Sequence, residues 1–380
     1  MTSYVRRVTR PGNRFGSRLA RLDVELTERC NNDCIHCCIN LAVHDRRARD
    51  REMTTPEVRG ILAEAARLGC LQVRFTGGEP LLRPDFEELY LFARRLGLKV
   101  LIFTNARLIS AHLAEVLAQV PPLAAIEITV YGMHADSYDA VTGVPGSFAQ
   151  FRRGLDRLLE RRVPFTVKGA LLPPNRGEVD EFDAWALSTP WMQERPGYSM
   201  FFDLRQRRDD AQKNALIESL RLTPQEALEV LARDEVRYRR EMAEFAAKFM
   251  GPPGDLLFNC GAGHEVSVDA YGTAQPCLGM RSPDLTVDLR TSSLSDAVDR
   301  LADVRALRAT NPEYLRRCAR CFLKSACEQC PAKSWAEHGT LDTPVEYYCD
   351  VAHAQARHMG WLKETERAWE VADWRVRLQQ

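Results

Sequence analysis

From residue 22 to about residue 203 the chain alternates short β-branched apolar runs with longer stretches of helical period, and no other feature restricts its fold as much. Six runs read as strands: "LDVELT", "LQVRFTG", "KVLIFTN", "AIEITVYG", "PFTVKGALL" and "YSMFFDL". Strands separated by helical segments predict a parallel sheet, because parallel neighbours need a crossover connection. Between the first two, Thr55-Pro56 supplies the chemistry of a helix start, Val58, Ile61, Leu62, Ala65 and Leu68 form one face, and Gly69 ends the helix. Equivalent helices are expected over 84–96, 110–119, 147–161 and 178–187. Six such units are too few for a closed eight-stranded barrel; an open one is expected, with function at the C-terminal ends of its strands.

After the charged stretch "LRQRRDDAQKN" a second region begins. Thr223 as N-cap, Pro224 in the first turn and Glu226 at N3 start a long amphipathic linker helix. Its stripe is Leu231, Tyr238, Met242, Phe245 and Phe249, and it stops at Gly-Pro-Pro-Gly. Beyond Cys260 the residues that stand out are Cys and Gly, which suggests a small domain organised around metal. No solenoid-type repeat is visible.

The division expected is a basic N-terminal arm over 1–21, a partial barrel over 22–204, a charged connection and linker helix over 205–255, a metal-organised domain over 256–355 and a helical tail over 356–380. The arm carries six Arg and no apolar core segment, so it does not read as a signal peptide. No apolar run approaches the ~20 residues of a membrane span. The 52 basic and 52 acidic residues cancel, which offers nucleic acid no single-sign surface. Twelve Cys in 380 residues, in two groups about 190 residues apart, are not the spacing of a small disulfide-framed secreted domain. A cytoplasmic protein whose thiols bind metal or do redox chemistry is expected.

Cys30, Cys34 and Cys37 form C-x3-C-x2-C in the loop after the first strand. Three thiolates there can hold an iron-sulfur cluster with one iron left open, while zinc or a redox pair is the competing reading of the triplet alone. At the end of the second strand stands Thr76-Gly77-Gly78-Glu79-Pro80, whose glycines admit close approach to backbone and whose Glu can accept from an amine. Cys38 and Cys70 have no motif partner and read as small buried side chains.

With the βα pattern around them, these two motifs resemble those of the radical S-adenosylmethionine (SAM) enzymes. The resemblance implies that Cys30, Cys34 and Cys37 ligate a 4Fe-4S cluster and that Gly77, Gly78 and Glu79 lie near the methionyl amine of SAM. SAM would chelate the open iron, and the reduced cluster would cleave it to a 5′-deoxyadenosyl radical that takes hydrogen from the substrate. His36 stands where the family carries an aromatic residue before the third cysteine. Thr129 and Lys168, at the ends of strands 4 and 5, match positions that contact SAM ribose and carboxylate, and Asn105 ends strand 3 at the same mouth.

The second cysteine group reads Cys260-x11-Gly272-x4-Cys277, then Cys318-x2-Cys321-x5-Cys327-x2-Cys330, then x18-Cys349. It is similar to the SPASM domain, a C-terminal extension of radical SAM enzymes with two auxiliary iron-sulfur clusters. The family's third spacing is usually x3 where this chain has x2. The resemblance places Cys318, Cys321, Cys327 and Cys349 on one cluster and Cys260, Cys277 and Cys330 on the other, which is then one thiolate short. A zinc ribbon is the alternative, and seven cysteines leave three over after one four-coordinate site.

The fold class expected is therefore α/β, a partial (β/α)6 radical SAM barrel with a C-terminal iron-sulfur SPASM domain. The cofactors are SAM and three 4Fe-4S clusters, and the implied reductant is flavodoxin or ferredoxin. The expected activity is that of an oxidoreductase abstracting hydrogen from an unactivated C–H bond in a peptide or protein, leading to a crosslink, epimerisation or oxidation. Dehydrogenation of a small molecule such as an aminocyclitol or sugar is the alternative. About 21 residues before the first strand leave no room for a winged-helix peptide-recognition module at that end.

Overall fold

The computed structural model describes residues 19–379, so the expected basic arm lies outside the described residues except for its last three positions. The chain divides into two compact units. The first comprises Met1–Ser199, Gly261–Leu278 and Pro283–Asp303; the second comprises Met200–Cys260, Gly279–Ser282 and Val304–Gln380.

The first unit is built on one sheet of nine strands: β1 (Arg21–Thr27), β2 (Gln72–Gly77), β3 (Lys99–Thr104), β4 (Leu123–Val130), β5 (Thr166–Ala170), β6 (Tyr198–Ser199), β7 (Glu265–Val268), β8 (Thr273–Gln275) and β9 (Val287–Asp288). Their order is β9-β8-β7-β1-β2-β3-β4-β5-β6, so the sheet is open. From β1 to β6 each strand pairs in parallel with the next, as the alternation of strands and helices predicts. The other half of the sheet was not foreseen. β7 pairs in parallel with β1, and β8 and β9 follow antiparallel. Residues grouped by sequence with the metal-organised region thus complete the sheet, covering the β1 edge that would otherwise present an unpaired ladder.

Alternate residues of a strand face opposite sides, and here the two sides differ in chemistry. Leu22, Val24, Leu26, Val73, Phe75, Val100, Ile102, Ile126, Ile128 and Val167 join one apolar core under the helices. The other face carries Asp23, Arg74, Phe103, Glu127, Thr129 and Lys168. Asp23 stands opposite Arg74 and pairs with it at 3.3 Å. Arg74 and Lys168 lie over the Phe103 ring at 4.7 and 4.1 Å. A sheet apolar outside and charged inside is a scaffold for a polar ligand rather than a filled barrel.

The crossover helices are Thr55–Arg67, Phe86–Arg95, Ala111–Gln119, Ser147–Glu160 and Val179–Ser188, each within two residues of expectation, with a further helix Ala135–Thr142. The first helix is capped one residue earlier than expected: Thr54, not Thr55, is the N-cap, in a reciprocal box with Glu57. Thr55 Oγ1 instead donates to Asp85 at 2.6 Å.

The second unit is largely helical. The expected long linker helix is two helices, Pro224–Leu231 and Glu235–Phe249. The Thr223 capping box is present, but Asp234 accepts from the Arg237 amide and starts a new helix. Arg-Asp at 233–234 thus works as a break that helical periodicity alone does not reveal. Phe322, Leu323, Ala356, Trp361, Leu362 and Ala368 form a separate core. The tail is less helical than expected: Glu346–His358 ends at Gly360, whose φ is +79°, and only the single turn Trp374–Arg377 follows.

Candidate cofactor site

In the first unit the loop after β1 turns back over the strand ends. Leu41 N–H donates to Glu28 O at 2.8 Å, and Arg29–Cys30 pairs with Leu41–Ala42 as a two-residue parallel ladder. Arg29 clamps Glu52 through two contacts of 2.8 and 3.0 Å. On the far side, Asp33 and Ile35 N–H groups donate to Thr142 and Val141 carbonyls at 2.8 and 3.0 Å. The three motif cysteines are thus held in a pinned loop: Cys34 is buried, and Cys30 and Cys37 are half-buried.

Burial raises the Cys30 thiol well above its ordinary range, and the neighbouring Cys34, Glu79 and Cys37 push it further. These thiols therefore feel one another's charge, and a cationic metal core is what would relieve it. Among the described residues no three His, Cys, Asp or Glu side chains are gathered as for a single metal ion. A cuboidal cluster asks for something looser, one thiolate on each of separate irons.

Gly77 and Gly78 have a more immediate role than ligand approach. Their amide segment runs against the loop: Gly78 N–H donates to Thr27 O at 2.7 Å and Glu79 N–H to Arg29 O at 2.9 Å. A Cβ on Gly77 would overlap the Thr27 carbonyl oxygen, and one on Gly78 the Glu28 and Arg29 carbonyl oxygens. Gly77 also has φ +127°. The glycines fasten the end of β2 to the cysteine loop.

Glu79 is fully buried. Its carboxylate accepts from Thr104 Oγ1 at 2.8 Å, Asn105 N–H at 2.8 Å and Leu81 N–H at 3.1 Å. Three of about four lone-pair directions are filled, which leaves one for a ligand donor. Burial lifts its pKa to about 7 despite those three bonds. An amine N–H is a donor that such a buried carboxylate suits.

Asn105 joins the two motifs. Its backbone holds Glu79, while its amide donates to Asn31 Oδ1 at 2.8 Å and lies 3.9 Å from Cys30 Sγ. Arg107 reaches the same loop, donating to Asn31 O and Asn32 Oδ1 and to Gln150 at 3.0 Å. It was not singled out in the sequence, although its place two residues beyond a strand end was a usable signal. His36 lies 5.8 Å from the Tyr131 ring, which in turn meets Tyr138 edge-on at 5.6 Å. Tyr131, next after β4, was also passed over.

Thr129 and Lys168 are register partners on the charged face. Lys168 pairs with Glu127 at 2.5 Å. Cys70 is buried, with its thiol on Gln72 O at 3.1 Å, as a packing role requires, whereas Cys38 is half-buried.

In the second unit Cys318, Cys321, Cys327 and Cys349 line one cavity, together with Arg317 and His353. Three of these thiols come from residues 318–327 and the fourth from the helix Glu346–His358. Burial raises each of them, Cys349 to about 11, and Cys327 adds to the rise at Cys349. The donor set fits a four-thiolate cluster. Of the other three motif cysteines, Cys277 belongs to the first unit, and Cys260 and Cys330 to the second. Cys330 precedes the helix Pro331–His338, and Cys260 is exposed.

The sequence profile of the Radical SAM superfamily matches residues 24–186. An AdoMet-dependent heme synthase from Methanosarcina barkeri is 24% identical over 86% of this chain and 94% of its own length. A PqqA peptide cyclase from Rhodopseudomonas palustris is 36% identical over 41% of this chain and 40% of its own, so that match spans less than half of the relative. Among solved structures, native anSMEcpe with bound AdoMet superposes with TM-score 0.60 at 14% identity over 89% of this chain and 96% of that one. SuiB of Streptococcus suis bound to S-adenosylmethionine gives TM-score 0.60 at 17% identity over 83% and 76%. At such identities the structural likeness concerns the fold.

Proposed function

We propose that this radical SAM enzyme, whose superfamily domain spans residues 24–186, abstracts hydrogen from an unactivated C–H bond in a peptide or protein and passes the remaining electron to an auxiliary cluster. The observation that carries the reading is the joining of Cys30, Glu79 and Asn105 at the ends of β1, β2 and β3. Cys30, Cys34 and Cys37 would hold the 4Fe-4S cluster, and Glu79 would accept an N–H of the SAM amine on its remaining lone pair. Bound there and reduced by flavodoxin or ferredoxin, cluster and cofactor would supply a 5′-deoxyadenosyl radical. Arg107 and Asn105 keep the cysteine loop in place. His36 and Tyr131 offer ring faces for adenine, and Thr129 and Lys168 offer polar contacts to ribose and carboxylate. Cys318, Cys321, Cys327 and Cys349 would bind one of the two auxiliary clusters.

The peptide substrate is supported by the 36% identity to a PqqA peptide cyclase. The relative that spans nearly the whole chain is named a heme synthase, and this favours a second reading, oxidation of a small non-peptide molecule. The test is anaerobic. Reconstituted enzyme should hold about 12 iron and 12 sulfide, and replacing Cys30, Cys34 and Cys37 by Ala should remove about 4 of each and abolish SAM cleavage. With a candidate peptide deuterated at the residue to be modified, label should appear in 5′-deoxyadenosine. Label transfer from a small molecule, with no peptide accelerating SAM cleavage, would establish the second reading instead. Zinc in place of iron would refute both.

A further inference from the structure

Cys349 is the one thiol of the four-cysteine cavity for which the structure shows two side-chain donors. Arg317 Nη2 lies 3.6 Å from its sulfur, and so does His353 Nδ1. Neither is free to wander. Two guanidinium nitrogens of Arg317 are held by Glu346 at 2.6 and 2.8 Å, and its plane rests 4.8 Å over the Trp369 ring. The tautomer of His353 follows from its other nitrogen: the buried Ala368 N–H donates to Nε2 at 3.2 Å, so Nδ1 carries the proton and points it at Cys349. That proton is shared with the Cys349 carbonyl oxygen at 2.8 Å.

Charge around this sulfur is lopsided. The Arg317 side chain is 14% exposed, whereas that of Glu346, its counter-ion, is 64% exposed. Solvent therefore screens the carboxylate while the guanidinium acts on the cavity through protein. Lys324 also lines the cavity. Around Cys30 the side-chain donor is the neutral Asn105 amide, and the buried Glu79 adds negative charge.

We propose that Arg317 and His353 are positioning residues that act through Cys349 to raise the reduction potential of the cluster held by Cys318, Cys321, Cys327 and Cys349. The inference rests on that cluster being present, as the preceding section reads it. Reduction adds one electron to a thiolate-bound core and no proton. A guanidinium and an N–H dipole on a ligand sulfur stabilise the more negative state. In the reaction, the substrate would lose a hydrogen atom to the deoxyadenosyl radical, then one electron to this cluster and one proton to solvent. Its oxidation by two electrons is then balanced by one cleaved SAM and one reduced cluster.

The experiment is a redox titration of the full-length, three-cluster enzyme with dithionite, followed by electron paramagnetic resonance. Arg317→Gln is expected to lower one midpoint by at least the tenfold change in oxidised-to-reduced ratio that corresponds to about 59 mV for one electron, and to leave the others in place. His353→Gln should lower the same midpoint, and Glu346→Gln should raise it, a sign reversal that general loosening would not produce. Should Arg317→Gln fail to load iron, Arg317→Lys and His353→Gln carry the measurement. A fully loaded variant with every midpoint unmoved, or Glu346→Gln and Arg317→Gln moving the same way, overturns the inference. Undiminished iron after Cys318→Ala with Cys349→Ala overturns the cluster assignment beneath it.

Discussion

A buried carboxylate that keeps three donors and still titrates near neutrality is poised to accept a cation. Glu79 has its pKa raised to about 7 from an ordinary 4.5, so the folded apoprotein binds a proton there more readily than the unfolded chain does. Its stability should therefore fall as pH rises from about 4.5 to 7, by on the order of 3 kcal/mol, and Glu79→Gln should remove that slope in chemical denaturation. SAM binding has the opposite sign, because an iron-bound amine donates N–H best to the charged carboxylate: affinity should rise as pH goes from 6 to 8. Equal affinity across that range by calorimetry would exclude Glu79 as the amine acceptor. Gly78 next to it also has a structural role. Gly78→Ala forces a methyl into the Glu28 and Arg29 carbonyl oxygens and should cost about 3 kcal/mol, read as a lowered urea midpoint in the apoprotein before any cofactor is added.

At the scale of elements, the capping box of the helix Thr55–Arg67 gives a sharp comparison. Thr54→Ala removes the box and should cost about 1 kcal/mol of stability, whereas the same change at Pro224, outside the cap's hydrogen bonds, tests only the first-turn preference and should cost less. Urea midpoints of the two variants decide it. The elements that were legible in the sequence are those whose signal is local. β1 to β5 and their helices follow from periodicity, whereas of the run "YSMFFDL" only Tyr198–Ser199 pairs as β6; Thr223-Pro224-x-Glu226 announces its own helix start. β7 to β9 were not legible, because they are two to four residues long and β7 gains its meaning only from β1. The cysteines stood out by spacing. Arg107, Arg317 and His353 did not, since each matters through a loop or sulfur that it reaches in three dimensions.

At the scale of the molecule, the chain passes between its two units at residues 199–200, 260–261, 278–279, 282–283 and 303–304. Cutting it at the apparent domain boundary would not release a finished first unit. A chain ending at residue 255 lacks β7, β8 and β9 and leaves the β1 edge open. It should self-associate on size-exclusion chromatography, while a chain that restores residues 261–303 through a short linker should not.

That open edge also has a history in time. Arg21 on β1 and Glu265 on β7 are 244 residues apart in sequence, yet they are partners in the sheet. At a synthesis rate of about 5–20 residues per second, β1 leaves the ribosome tens of seconds before its neighbour exists. Through that interval the most buried strand of the sheet has one side unfilled, with the thiols of Cys30, Cys34 and Cys37 on the loop that follows it. A nascent chain thus carries an unpaired β1 edge beside those thiols until residues 265–268 have been made.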